Sequence, residues 1–261
     1  MKYRLILSFL VVVLFCSCYE REEACLDLLA QNYTITADDP CDDCCTYPTV
    51  QLRVIPMVGD SIYNVDSVIN NNAGQSFILR NAVVLLSDFE LGIADGTVLN
   101  VRETATFENV SDEEFELIDD HSIMSVFSSI ISLGTIREGG LIEQASLLVG
   151  VDHELISVTE ESDIFDFDTL YTEAGYYDIS LYLEGEGSLQ MNKVLRYYVN
   201  IPSSRILFDL NDVTKEDRTN FTLQVEVDYF ELLKDVVIEE TNEEQIISDF
   251  MISDEFIKIV E

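Results

Sequence analysis

Three cysteines and two aspartates fall within five residues, Cys41-Asp42-Asp43-Cys44-Cys45. Thiols at this spacing have three chemistries open to them: soft-metal ligation, thiol–disulfide exchange, or a structural bridge. A zinc ribbon needs a second C-x-x-C pair, and none follows in the chain. A thioredoxin-like C-x-x-C sits beside a βαβ pattern, whereas Cys41 to Cys44 lie in a segment of Asp, Pro and Thr. In an oxidising compartment these residues read as a staple.

The remaining chemistry-bearing residues are sparse. The chain has two histidines, His121 and His153. His121 and Met124 form a soft pair three residues apart, which on a helix share a face and suit Cu(I). On a strand the same spacing sends them to opposite faces. His153 follows Asp152 and reads as a loop residue with a ligand role open to it. Asp163, Asp166 and Asp168, near Glu160 and Glu161, supply oxygen ligands of the kind Ca²⁺ takes, without an Asp-x-Asp-x-Asp-Gly loop to order them. No G-x-S-x-G, H-E-x-x-H, P-loop or G-x-G-x-x-G occurs. The expectation is a protein that is not an enzyme.

What must position these residues begins at the N-terminus. Lys2 and Arg4 precede an apolar run from Leu5 to Phe15, broken only by Ser8. Eleven residues are too few to span a bilayer core, which takes ~20, but suit the middle of a secretory signal. Phe15-Cys16-Ser17-Cys18 resembles a bacterial lipobox, with Ser17 as the small residue before the modified cysteine. The expectation is a lipoprotein signal peptide over 1–17 and lipidation at Cys18. Tyr19-Glu20-Arg21-Glu22-Glu23 resembles the acidic export tag of surface-exposed Bacteroidetes lipoproteins. With Cys16 removed and Cys18 acylated, Cys25, Cys41, Cys44 and Cys45 remain, an even set with three possible pairings.

Composition narrows the partners. Removing Lys2 and Arg4 from 14 basic residues leaves 12 against 50 acidic ones, a formal charge of −38 on the mature chain. Such a field excludes nucleic acid and favours cations or basic protein surfaces. Hydrophobic residues make up 48% of the chain, so this is not a disordered acidic tail.

From Thr49 onward the dominant hydrophobic period is two. Val50, Leu52 and Val54 alternate with Gln51 and Arg53, and Asp95-Gly96 separates two β-prone runs as a hairpin turn. Further strands are expected over 145–151, 176–183, 189–201, 205–210 and 221–227, with a turn at 184–187. The segment 122–133 fits either period. Short helices are expected over 229–236 and after the capping-box pattern Thr241-Asn-Glu-Glu244. The expected fold is mostly β: an antiparallel β-sandwich with a few short helices. It divides into a lipid tether and Cys-rich module over 18–48 and a β domain over 49–261.

Two family resemblances sharpen this outline. Cys25-Leu-Asp27, Ala30, Asn32-Tyr33, Ala37-Asp38 and Cys45-Thr-Tyr47 resemble a small cysteine module of exported Bacteroidetes proteins. That resemblance implies a Cys25–Cys45 bridge, leaving Cys41 with Cys44. Asp66-Ser67-Val68 and Asp168-Thr169-Leu170 resemble a Bacteroidetes O-glycosylation motif, with Ser67 and Thr169 as acceptors. In the β domain, VQLRVIPMVGDSIYN (50–64), Gly74-Gln-Ser-Phe77, LLSDFEL (85–91) with ADGT behind it, LLVGVD (147–152), GYYDISLYLEG (175–185) and LQVEVDYFELL (223–233) occur in that order. Over about 49–235 they resemble the MbnP-like family of exported β-rich proteins.

That resemblance implies an anchored or secreted binding protein, with copper held in some members through histidine and a modified tryptophan. Here there is no tryptophan. Tyr171 and Tyr176 occupy the segment where it is expected, and Arg196-Tyr197-Tyr198 the one where a histidine is plausible. The expected protein is an exported, lipid-anchored binding module at the outer membrane, facing the periplasm or the cell surface. His121, Met124 and His153 are its candidate metal ligands. The alternative is a structural or adhesive surface lipoprotein, stabilised by Ca²⁺ and without a small ligand.

Overall fold

The structure, a computed structural model, describes residues 21–41, 43–102, 104–108, 114–118, 120–150, 171–172, 175–176, 179–185, 194–199, 204–235, 237, 244–247 and 255–260. The expected signal peptide and Cys18 lie outside them, as do His153, Thr169 and the acidic cluster at 160–168. The chain forms two compact units, 1–47 and 48–261.

In the first unit two short strands, β1 (Glu23–Ala24) and β2 (Asp39–Pro40), pair in parallel. Cys25 is bridged to Cys45 and Cys41 to Cys44, with Cα atoms 5.0 Å and 5.7 Å apart, within the span a disulfide needs. Side-chain clamps do the remaining folding. Asn32 donates through Nδ2 to the Cys44 carbonyl (2.6 Å) and accepts from the Thr46 N–H (2.9 Å). Asp27 accepts from the Tyr47 hydroxyl (2.8 Å) and from the Leu29 N–H (2.9 Å), and Ala30 is fully buried. Asp27, Ala30, Asn32 and Tyr47 are among the positions on which the cysteine-module resemblance rests, and each has a hydrogen-bond or packing task.

The second unit is built of strands alone among the described residues. In chain order they begin with β3 (Thr49–Val58), β4 (Ser61–Ile62), β5 (Val68–Asn70), β6 (Ser76–Ile93) and β7 (Val98–Asn100). Next come β8 (Thr104–Glu108), β9 (Glu114–Ile118), β10 (Ser122–Ser125), β11 (Ile130–Thr135) and β12 (Gly140–Val149). The rest are β13 (Tyr171–Thr172), β14 (Gly175–Tyr176), β15 (Ile179–Gly185), β16 (Val194–Val199), β17 (Ser204–Lys215), β18 (Phe221–Asp228), β19 (Glu244–Ile247) and β20 (Ile257–Ile259).

A nine-stranded sheet runs β17-β12-β6-β15-β16-β19, with β5, β7 and β10 also on β6. A five-stranded sheet runs β11-β3-β18-β20, with β4 on β3. Most pairs are antiparallel; β18 with β3 and β16 with β19 are parallel. Val50, Leu52 and Leu223 from the smaller sheet share one core with Phe77, Leu86 and Leu147 from the larger, which makes the unit a β-sandwich.

The expected hairpin is present: β6 turns into β7 through Asp95 and Gly96. Gly96 takes φ +86°, and Asp95 Oδ1 accepts the Thr97 N–H at 2.8 Å. The ambiguous segment 122–133 resolves into β10 and β11. The two expected helices are corrections. Residues 229–235 form a succession of turns opened by Asp228, whose Oδ1 accepts the Phe230 N–H at 3.0 Å. A helix of about two turns repays little of its nucleation cost, and burial of Tyr229, Leu232 and Leu233 fixes the segment instead. Glu244 opens β19, because Arg196 to Val199 of β16 offer it and its neighbours a sheet edge. Tertiary pairing overrides the local capping pattern.

β6 is the spine of the larger sheet. Its core-facing residues are Phe77 and Leu79, then Ala82, Val84 and Leu86, then Phe89 and Leu91. The phase of the alternation flips twice, so an extra residue is needed at each flip. The register supplies both. Tyr182 faces Asn81 while Leu183 faces Leu79, and Ser146 faces Glu90 while Leu148 faces Ser87. The strand thus bulges at Arg80 and again at Asp88.

Candidate functional site

The second bulge gathers a polar cluster that spans three strands. Asp88 is held at φ +51°, a left-handed conformation that costs a non-glycine residue about 1–3 kcal/mol. What holds it there is Arg205 at the start of β17. The guanidinium pairs with the Asp88 carboxylate, reaches Glu90 Oε2 at 2.8 Å and donates to Ser146 Oγ at 2.9 Å. Ser146 in turn donates to Glu90 Oε2 at 3.2 Å. One cation on β17 therefore ties together two carboxylates of β6 and a hydroxyl of β12.

The bulge also displaces the Phe89 N–H from the regular ladder, and Asp120 Oδ2 accepts it at 3.1 Å. Asp120 is 7% exposed, so this is a charge-assisted bond in a poorly solvated place. The His121 side chain is buried beside it, with Nδ1 3.8 Å from Asp120 Oδ1. Ser87 commits its hydroxyl proton to the Gly150 carbonyl at 2.7 Å. The arrangement is a paired, hydrogen-bonded seam, and the serine hydroxyls in it already donate to oxygen.

Of the sequence-level ligand candidates, Met124 lies on β10 opposite Val84, fully buried in the core between the sheets. His121 stands just before that strand, where an extended chain sends a side chain three positions away to the other face. Ser67 is exposed on a turn in which its N–H donates to the Asn64 carbonyl at 2.9 Å. The neighbouring Asp66 is salt-bridged to Arg80 at the first bulge, and Arg80 also holds Glu184 at 2.5 Å. Among the described residues, the metal-type side chains that cluster are Cys41, Cys44 and Cys45, with their sulfurs within 4.8 Å of one another. All three are disulfide-bonded, so none offers the thiolate a metal needs.

Residues that sequence reasoning missed include Asp88, Asp120, Arg205 and Lys215. Lys215 is 2% exposed, and its ammonium donates to the Glu138 carbonyl at 2.8 Å. Burial pushes its pKa down, against the opposing pull of Asp217 and Glu138. The alternation of β17 signals which face is buried, but only the end of the strand against Gly139 and Gly140 explains why a lysine sits there. An added Cβ on Gly139 would meet the Lys215 carbonyl at 2.5 Å.

Compared with solved structures, the chain is similar to MbnP from Methylosinus trichosporium, at 9% identity and a TM-score of 0.45, over 78% of this chain and 81% of that one. A likeness at that level carries no argument about function. No family model and no curated protein matches the chain.

Proposed function

We propose that this chain is an exported, non-catalytic binding protein of MbnP-like type, tethered to the outer membrane through lipidated Cys18. The observation that carries the reading is the doubly bridged module immediately behind the lipobox. A unit of this size closed by Cys25–Cys45 and Cys41–Cys44 belongs in an oxidising compartment. Three acyl chains hold far more firmly than one, at about 0.8 kcal/mol per buried methylene.

The sandwich is then the displayed part, and its acidity points to cationic or basic partners and away from nucleic acid. Copper handling is the finer reading that the sequence resemblance suggests, and the residues here fit it poorly. There is no tryptophan, and Met124 is committed to the core.

The test is Cys18→Ala expressed in the native envelope. The variant should leave the membrane fraction or accumulate with its signal peptide attached. Unchanged membrane association and unchanged mass would refute the anchor.

A further inference from the structure

The two bridges of the N-terminal unit differ in access. Cys44 is exposed, Cys41 and Cys45 are half-buried, and Cys25 is fully buried. Yet the sulfurs of Cys41, Cys44 and Cys45 all lie within 4.8 Å of one another, so the outer bridge stands against the inner one. We propose that Cys41–Cys44 is a thiol–disulfide exchange site for small dithiols, through which Cys41 opens the buried Cys25–Cys45 bridge.

The chemistry fixes the order of events. A thiolate of the dithiol attacks the exposed Sγ of Cys44, the Cys41–Cys44 bond breaks, and Cys41 leaves as a thiolate. Cys41 then attacks Sγ of Cys45, the Cys25–Cys45 bond breaks, and Cys25 leaves as a thiolate and takes a proton from water. The second thiol of the reagent attacks its own sulfur in the mixed disulfide on Cys44. Cys44 is released as a thiol and the reagent departs as a cyclic disulfide. Two electrons have passed from the dithiol to the protein, and two bridges have become one, Cys41–Cys45.

Cys41 rather than Cys44 is the internal attacker for a geometric reason. Adjacent Cα atoms lie 3.80 Å apart across a trans peptide, short of the 4.4 Å or more that bridges ordinarily span. A Cys44–Cys45 bridge is therefore disfavoured, and Cys41–Cys45 is not. The proposal needs the two bridges but not the lipid anchor, so it survives or fails independently of Cys18.

The experiment is timed alkylation of the whole mature chain, purified oxidised and exposed to dithiothreitol, with peptide mapping of each cysteine. The expected intermediate carries alkyl groups on Cys25 and Cys44 and a Cys41–Cys45 bridge. Its absence, with Cys25–Cys45 opening at its own pace, overturns the proposal. In Cys41→Ser/Cys44→Ser, release of the Cys25 thiol should slow at least tenfold; an unchanged rate overturns it. The single variants report without any reductant. Cys44→Ser should expose Cys25 to alkylation, because Cys41 exchanges onto Cys45, whereas Cys41→Ser should keep Cys25 protected. Protection of Cys25 in both variants is the contradicting result.

Discussion

In the N-terminal unit only Cys25 and Ala30, among the described apolar side chains, are fully buried, whereas the sandwich shares one core from Val50 to Ile257. Ordering a residue costs about 1–2 kcal/mol of backbone entropy, and fewer than ~40 residues rarely bury enough to offset it unaided. The small unit answers with bridges that restrict the unfolded chain and with side-chain clamps such as Asn32 and Asp27. The large unit answers with apolar contacts on two facing sheets. Covalent closure and core burial are thus alternative solutions to one entropy problem, used side by side in one chain, and each should fail in its own way.

The largest effect is expected where the core is cut. Phe77→Ala removes a fully buried ring from β6 and should cost about 3–5 kcal/mol of global stability. With no tryptophan in the chain, denaturant unfolding followed by circular dichroism is the suitable measure. A loss under 1 kcal/mol would mean that the two sheets do not share the core described.

Next comes the staple. Cys25 and Cys45 are 20 residues apart, and removing both as serines should cost the module about 3 kcal/mol. The loss should be local: limited proteolysis ought to cut within 22–47 while the unfolding transition of the sandwich stays in place. A sandwich destabilised by the same amount would erase the contrast.

Smaller effects test the seam at the bulge. Asp120→Ala leaves the Phe89 N–H without its acceptor and should cost about 1–3 kcal/mol, while Asp120→Asn, which keeps an acceptor oxygen, should cost less. Equal losses would mean that the hydrogen bond is not what Asp120 contributes. The sign reverses at Tyr229, fully buried against Phe256, whose hydroxyl finds no hydrogen-bond partner among the described residues. Burial pushes its pKa well above the usual tyrosine range. Tyr229→Phe should therefore stabilise the sandwich by about 1 kcal/mol, and a destabilised variant would reveal a partner for that oxygen.

The smallest effect concerns copper. Protein from residue 19 onward, lacking the anchored cysteine, should retain little Cu(I) against a competing chelator. One tightly held copper, abolished by His121→Ala or His153→Ala, would restore a metal-handling role.

Much of the sandwich is legible in the sequence because period-two alternation is a local signal. Val50 to Val54 and the Asp95-Gly96 turn need no distant partner to be recognised. The double phase flip in β6 is also written in the chain, at Arg80-Asn81 and Ser87-Asp88, yet it reads as noise until β12 and β15 fix the register. The seam is less legible still. Asp88 and Arg205 are 117 residues apart, and nothing local marks them as partners. Glu244 shows the opposite failure, a strong local pattern for a helix that loses to a sheet edge. His121 is conspicuous in the sequence for its rarity, yet the neighbouring Asp120, one acid among 50, accepts the Phe89 N–H.

Whether the N-terminus is both anchored and oxidised can be read in one measurement. The intact mass and cysteine map of the mature protein should be taken from its native membrane under non-reducing conditions. The predicted species begins at Cys18 bearing three acyl chains and has no free thiol at Cys25, Cys41, Cys44 or Cys45. An unacylated N-terminus, or free thiols at two or more of those four cysteines, would contradict it.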